Sequence, residues 1–125
     1  MEDRVLTDSE REEISDYLSL NEDLLYSLIP PFLPEYRGTL FMTEGQIVAG
    51  KQAFEERKPM LRTTLCDEWK LCEKMRDPSF EDTVRLISTI GDVIALHTGG
   101  IPPFLVGSLL IKIGVRKFCN CGTAK

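Results

Sequence analysis

Val93-Ile94-Ala95-Leu96-His97-Thr98-Gly99-Gly100-Ile101-Pro102-Pro103-Phe104-Leu105-Val106-Gly107-Ser108-Leu109-Leu110-Ile111 is a run of nineteen residues without an acid, a lysine or an arginine. A membrane-crossing helix needs about twenty consecutive apolar residues, and this run is interrupted near its middle by Gly99-Gly100 and Pro102-Pro103. Glycine ends helices and proline begins them, so the pattern predicts an apolar helical hairpin rather than a span, with arms at about 79–98 and 102–118. In the first arm Glu81, Arg85, Ser88 and Asp92 recur at helical intervals and form one narrow polar stripe; Ser108, Lys112 and Arg116 do the same in the second. An antiparallel pair turning near residue 100 sets Asp92 opposite about residue 109, so Asp92 and Lys112 are expected to approach each other as a structural polar pair. Gly91, Ala95, Gly107 and Ser108 would allow the arms to pack closely.

Such a hairpin needs covering, and the rest of the chain reads as amphipathic helix. Ser9-Glu10-Arg11-Glu12 has capping-box spacing, and Ile14, Tyr17, Leu18, Leu24, Leu25 and Leu28 follow at helical spacing, so a helix is predicted over about 9–29. Pro30, Pro31 and Pro34 predict a stiff, extended connector over 30–42, in which Thr39-Leu40-Phe41-Met42 reads as loop because no second strand is present to pair with it. Thr43 and Gln46 give a second capping-box spacing, and Ile47, Phe54, Leu61, Leu65, Trp69 and Cys72 keep one stripe in phase past Pro59. A long or kinked helix over about 43–76 follows. Asp77-Pro78-Ser79 then restarts the chain, with Asp77 or Ser79 as cap. The expectation is an all-α fold: one small domain over 1–125, a bundle of four to five helices with a C-terminal apolar helical hairpin and a short cysteine-containing tail at 119–125.

Charge narrows the partners. The net charge of −5 lies at the N-terminal end, where residues 1–36 hold ten acids and two bases. Residues 37–78 hold seven acids and eight bases, and 79–125 three acids and five bases. Without clustered Lys and Arg there is no footprint for nucleic acid. The opening Met1-Glu2-Asp3-Arg4 is acidic and lacks the apolar stretch of a secretory signal, so the four cysteines are not read as a disulfide framework and the expected location is cytoplasmic.

Several motifs suggest chemistry without supporting it. Gly45-Gln46-Ile47-Val48-Ala49-Gly50-Lys51-Gln52 matches the phosphate-binding loop spacing until Gln52 stands where a Ser or Thr must bind magnesium. It reads as amphipathic helix. His97, the single histidine, has no Ser, Cys or Asp at a signature spacing and suits a turn near a helix end. Glu55-Glu56 and Asp67-Glu68 are interleaved with Arg57, Lys58 and Lys70, as on a solvated helix surface. Neither a catalytic residue nor a small-molecule substrate is inferred. Cys66 and Cys72 sit six apart on a predicted helix, about 120° from each other around it, whereas helical ligand pairs prefer three or four. Cys119-Asn120-Cys121 is tighter than the usual ligand spacing. Buried small hydrophobes and an exposed tail are the first reading; a four-thiolate zinc site of Cys66, Cys72, Cys119 and Cys121 is the alternative. An acylated tail beside Arg116 and Lys117 is a weaker one.

Ile29-Pro30-Pro31-Phe32-Leu33 recurs as Ile101-Pro102-Pro103-Phe104-Leu105, each time after a helix. Both copies read as the same helix-stop, helix-start punctuation with apolar anchors. The resulting expectation is a non-enzymatic protein-interaction or regulatory module without a cofactor. It would use the hairpin residues Phe104, Leu105, Leu109 and Ile113 to dock a protein partner or a second copy. The alternative is a membrane-active protein whose hairpin opens into lipid, against which Asp92 and Lys112 each count by about 2.5–3.5 kcal/mol near the bilayer centre unless paired.

Overall fold

In the computed structural model the described residues are 6–33 and 43–121, with the backbone alone for Thr43 and Glu44. They are all-helical, with no strand among them: α1 (Asp8–Leu18), α2 (Glu22–Ser27), α3 (Thr43–Arg62), α4 (Leu71–Lys74), α5 (Thr83–Ile94), α6 (Pro103–Ile113) and α7 (Val115–Phe118). Seven α-helices among the described residues replace the expected four or five, because short elements interrupt each long one. The expected loop at 39–42, the Thr43–Gln46 cap and the end of the tail lie outside what is described.

The predicted helix over 9–29 is two. Its capping box uses Thr7 and Glu10, not Ser9 and Glu12: Thr7 Oγ1 accepts from the Glu10 N–H at 3.0 Å, and Glu10 Oε1 accepts from the Thr7 N–H at 3.1 Å. Both tetrads have the same spacing, so spacing alone does not choose between them. The chain leaves α1 at Ser19, and Asn21, an interruption of the apolar face, restarts it as α2 by accepting from the Leu24 N–H at 2.9 Å. Pro30–Phe32 is a 3-10 turn rather than an extended segment, closed by Phe32 N–H to Ile29 O and Leu33 N–H to Pro30 O, both 2.9 Å. Proline's fixed φ suits the first turn of a helix as well as an extended chain.

α3 begins at Thr43 and passes through Pro59 without ending. The helix then widens into a π-helical stretch at Thr63–Glu68, where the Trp69 N–H reaches back to the Thr64 carbonyl at 3.0 Å. It stops at Lys70, whose φ of 61° is left-handed, before α4. The stripe expected to run unbroken to Cys72 is therefore redirected after Leu65. Asp77 caps a 3-10 turn at Pro78–Glu81 by accepting from the Ser79 N–H at 2.9 Å, and that bond holds its carboxyl below the usual carboxylate range. Asp82 then caps α5 through the Val84 N–H at 3.1 Å. The first apolar arm accordingly starts at 83, not 79, and the second breaks at Gly114, whose φ is 109°.

One core joins α2, α3, α5 and α6: Leu25, Phe54, Leu61, Ile90 and Leu109 are all fully buried in it, and Tyr17 of α1 packs against it. Ile14 of α1 is fully buried as well. α2 lies so close on α3 that a Cβ at Gly50 would overlap the Tyr26 carbonyl. α5 and α6 run past one another with Gly107 against Ile87 and Gly91 against Phe104. Arg57 of α3 fastens their connection, donating from Nε to the Thr98 carbonyl at 2.8 Å and from Nη2 to the Gly99 carbonyl at 3.3 Å. The two Ile-Pro-Pro-Phe-Leu copies share an anchor: Ile29 and Ile101 are both buried, each at the start of a new helical turn.

Candidate functional site

The four cysteines form two bridges, Cys66 to Cys119 and Cys72 to Cys121, each with Cα atoms 5.3 Å apart. No cysteine is free. This corrects both readings of the sequence. The thiols are neither separate buried hydrophobes nor ligands for zinc, since a sulfur in a disulfide is not the thiolate that a metal requires. Among the described residues no other group of His, Cys, Asp and Glu could hold a metal ion. Spacing on an ideal helix misled because the π-helical stretch and the left-handed Lys70 change the direction from Cys66 to Cys72, while left-handed Asn120 (φ 56°) folds Cys119 and Cys121 back on the same side.

The bridges clip the chain just after α7 onto the π-helical stretch at Thr63–Glu68 and onto α4. Phe118 is buried beneath Arg62, whose guanidinium carbon lies 4.7 Å from the ring centroid and whose Nε donates to the Phe118 carbonyl at 3.3 Å. On the other side of the clip Trp69 packs on Phe80, centroids 6.0 Å apart, with Lys74 Nζ 5.7 Å from the indole.

The hairpin residues expected to bind a partner are mostly core. Leu105 and Leu109 are completely buried, and Ile113 and Phe104 are half-buried. α1, α2 and α5 pack over α6. Asp92 and Lys112 are not brought together. Gly91 beside Phe104 and Gly107 beside Ile87 set a register in which Asp92 neighbours Pro103 rather than Leu109. Lys112 instead donates to the carbonyl of Leu18, at the end of α1, at 2.8 Å. The turn is displaced from residue 100 because α5 gives way to a 3-10 turn at Ala95–His97. Half-buried His97 belongs to that turn, and the segment 45–52 lies inside α3, where the amides from Ile47 onward are in the helix rather than in a phosphate-cradling loop.

Two acidic clefts flank α1. One, of about 300 Å³, is lined by Glu10, Glu13, Gly91, Asp92, Ala95, Pro103 and Phe104. The other, of about 360 Å³, is lined by Ser9, Glu12, Glu13, Asp16 and Tyr17. Burial, with Glu13 alongside, pushes the Tyr17 phenol up to about 12. Burial and the carboxylates of Glu22 and Glu55 do the same to Tyr26. Both phenols are kept neutral first by burial and then by the carboxylates beside them.

The apolar surface that composition alone did not reveal lies on α2 and the turn after it. Leu24, Leu28 and Phe32 recur every four residues and are 41, 37 and 47% exposed. Gly100 approaches the Phe32 carbonyl, and Leu96, 92% exposed, lies four residues before it. The second half of the apolar stripe read for α1–α2 was thus split, Leu25 facing the core and Leu24 and Leu28 facing out. No helix of the described residues is long and apolar enough to cross a membrane. The chain matches no known protein family, no curated protein and no solved structure.

Proposed function

We propose that this protein is a non-enzymatic interaction module, and that it engages a protein partner or a second copy of itself through the outer face of α2 and the turn that follows. The supporting observation is the outward stripe of Leu24, Leu28 and Phe32, spaced four residues apart; Val48, Met60 and Leu96 are exposed as well but share no such repeat. Three such side chains at a four-residue repeat present a continuous ridge, the form in which helices anchor to a groove. In this reading α1, α2, α3, α5 and α6 are a five-helix bundle, α5 and α6 are the arms of its hairpin, and α4 and α7 are the parts fastened by the clip. Two bridges in so short a chain favour an oxidising compartment over the cytosol. The docking role assigned to Leu105 and Leu109 passes to α2, because using those residues would require opening the core; insertion of α5 and α6 into lipid meets the same objection.

The test is a photo-reactive side chain placed at Phe32, with Glu56 on the exposed side of α3 as control position. A defined adduct from position 32 and none from 56 is expected. Light scattering on the purified protein then distinguishes a second copy from another partner. Equal adducts at both positions, or none at either, would remove the proposal.

A further inference from the structure

We infer that the two disulfides open as one redox unit: a single two-electron reduction severs both covalent links between the C-terminal segment and the α3–α4 region, the surviving bond moving to Cys119–Cys121. The basis is their connectivity. Both partners on one side lie in the same short tail, separated by Asn120 alone, and Asn120 is left-handed with φ 56°. A helical backbone of either hand sets Cα atoms two residues apart at about 5.4 Å, within the roughly 4.4–6.8 Å that disulfides span. Between Cys66 and Cys72 lie five residues, the left-handed Lys70 among them, so the adjacency set by a single intervening residue belongs to the tail pair.

The exchange balances. A small dithiol reduces Cys72–Cys121, becoming a cyclic disulfide and leaving two protein thiols. Cys121 loses its proton, and the thiolate attacks Cys119 Sγ. The Cys119–Cys121 bond forms as Cys66–Cys119 breaks, and Cys66 departs as a thiolate that takes up the proton. If Cys66–Cys119 opens first, the Cys119 thiolate attacks Cys121 Sγ and Cys72 departs, giving the same product. All four cysteines are only half-buried, so a small dithiol can reach them. After the exchange, Val115, Phe118 and the Arg62 contacts hold the segment without a covalent link to the α3–α4 region. Two covalent anchors thus become a non-covalent strap in one event.

The experiment treats the oxidised full-length chain with one molar equivalent of dithiothreitol at about pH 8, where thiolate is available, then quenches with acid, alkylates the thiols and digests with trypsin. Cleavage separates Cys66, Cys72 and the tail pair into three peptides. The expected product carries label on Cys66 and Cys72 together, with Cys119 and Cys121 joined in one unlabelled peptide. The double variant Cys72→Ser, Cys121→Ser keeps one bridge but lacks the attacking thiol, and its bridge should open only with an equivalent of its own. Accumulation of a species with one original bridge intact and the other pair labelled would overturn the inference. So would full reduction without a Cys119–Cys121 bond, or no labelling at all.

Discussion

Ser108 is completely buried on α6, and its hydroxyl finds no hydrogen-bond partner among the described residues. A buried hydroxyl without a partner costs about 1–3 kcal/mol of desolvation, so Ser108→Ala should leave stability unchanged or raise it by about 1 kcal/mol, read from urea unfolding. Larger side chains at the same position would overpack the core. Tyr17 and Tyr26 give a second residue-scale test. Each phenol is raised from 10.0 to about 12 in the folded protein, first by burial and then by neighbouring carboxylates. The folded state holds these protons more tightly than the unfolded chain, so their contribution to stability is complete below pH 10 and is lost as pH rises through about 12. Phenolate absorbance should show both tyrosines titrating above the ordinary value, together with falling stability over that interval. Ordinary titration of both, with no loss of stability, would contradict the described burial. The sequence did not mark these residues out: Ser108 reads as a small residue on the polar stripe with Lys112 and Arg116, whereas the structure buries it, and Tyr17 reads as one more member of an apolar stripe.

At the scale of elements, the difference between α6 and the face made by α2 with the 3-10 turn after it decides where function is sought. Leu109 sits in the core and Phe32 on the surface. Leu109→Ala should cost about 2–5 kcal/mol, whereas Phe32→Ser should change stability by less than about 0.5 kcal/mol and leave the circular dichroism spectrum unaltered. Reversed magnitudes would mean that α6, not that face, carries the free surface. Much of this architecture was legible. The Gly-Gly and Pro-Pro interruption separates α5 from α6, Thr43 opens α3, and Pro59 stays inside it. What escaped reading depended on tertiary choices among equal local signals. Two capping boxes compete at the N-terminus, and Asn21 can be tolerated within a helix or restart one. A register between two apolar arms cannot be counted from a turn whose length is unknown. The Asp92–Lys112 pairing failed for that last reason.

For the molecule as a whole, the clip is the feature that helical periodicity concealed. It closes loops of 53 and 49 residues, and in the chain-entropy account a first cross-link of this length contributes about 4 kcal/mol by restricting the unfolded chain. The second adds less, because its ends are already held close by the first. A fold with a four-residue α7 and a helix interrupted by a π-helical stretch has local elements too short to persist alone; packing and the two bridges hold them in place. The four thiols were visible in the sequence as two pairs, but ideal helical geometry set Cys66 and Cys72 on different faces. Only the irregular backbone at residues 63–70 reconciles them.

The most direct test of this account is a non-reducing peptide map of the purified protein, alkylated at acid pH before digestion so that no pairing is lost to exchange. Its predicted result is one cluster in which the peptides carrying Cys66 and Cys72 are both joined to the tail peptide, with fragmentation assigning Cys66 to Cys119 and Cys72 to Cys121. Four alkylated thiols, zinc retained by the reduced protein, or a Cys66–Cys72 bond in the starting material would contradict it.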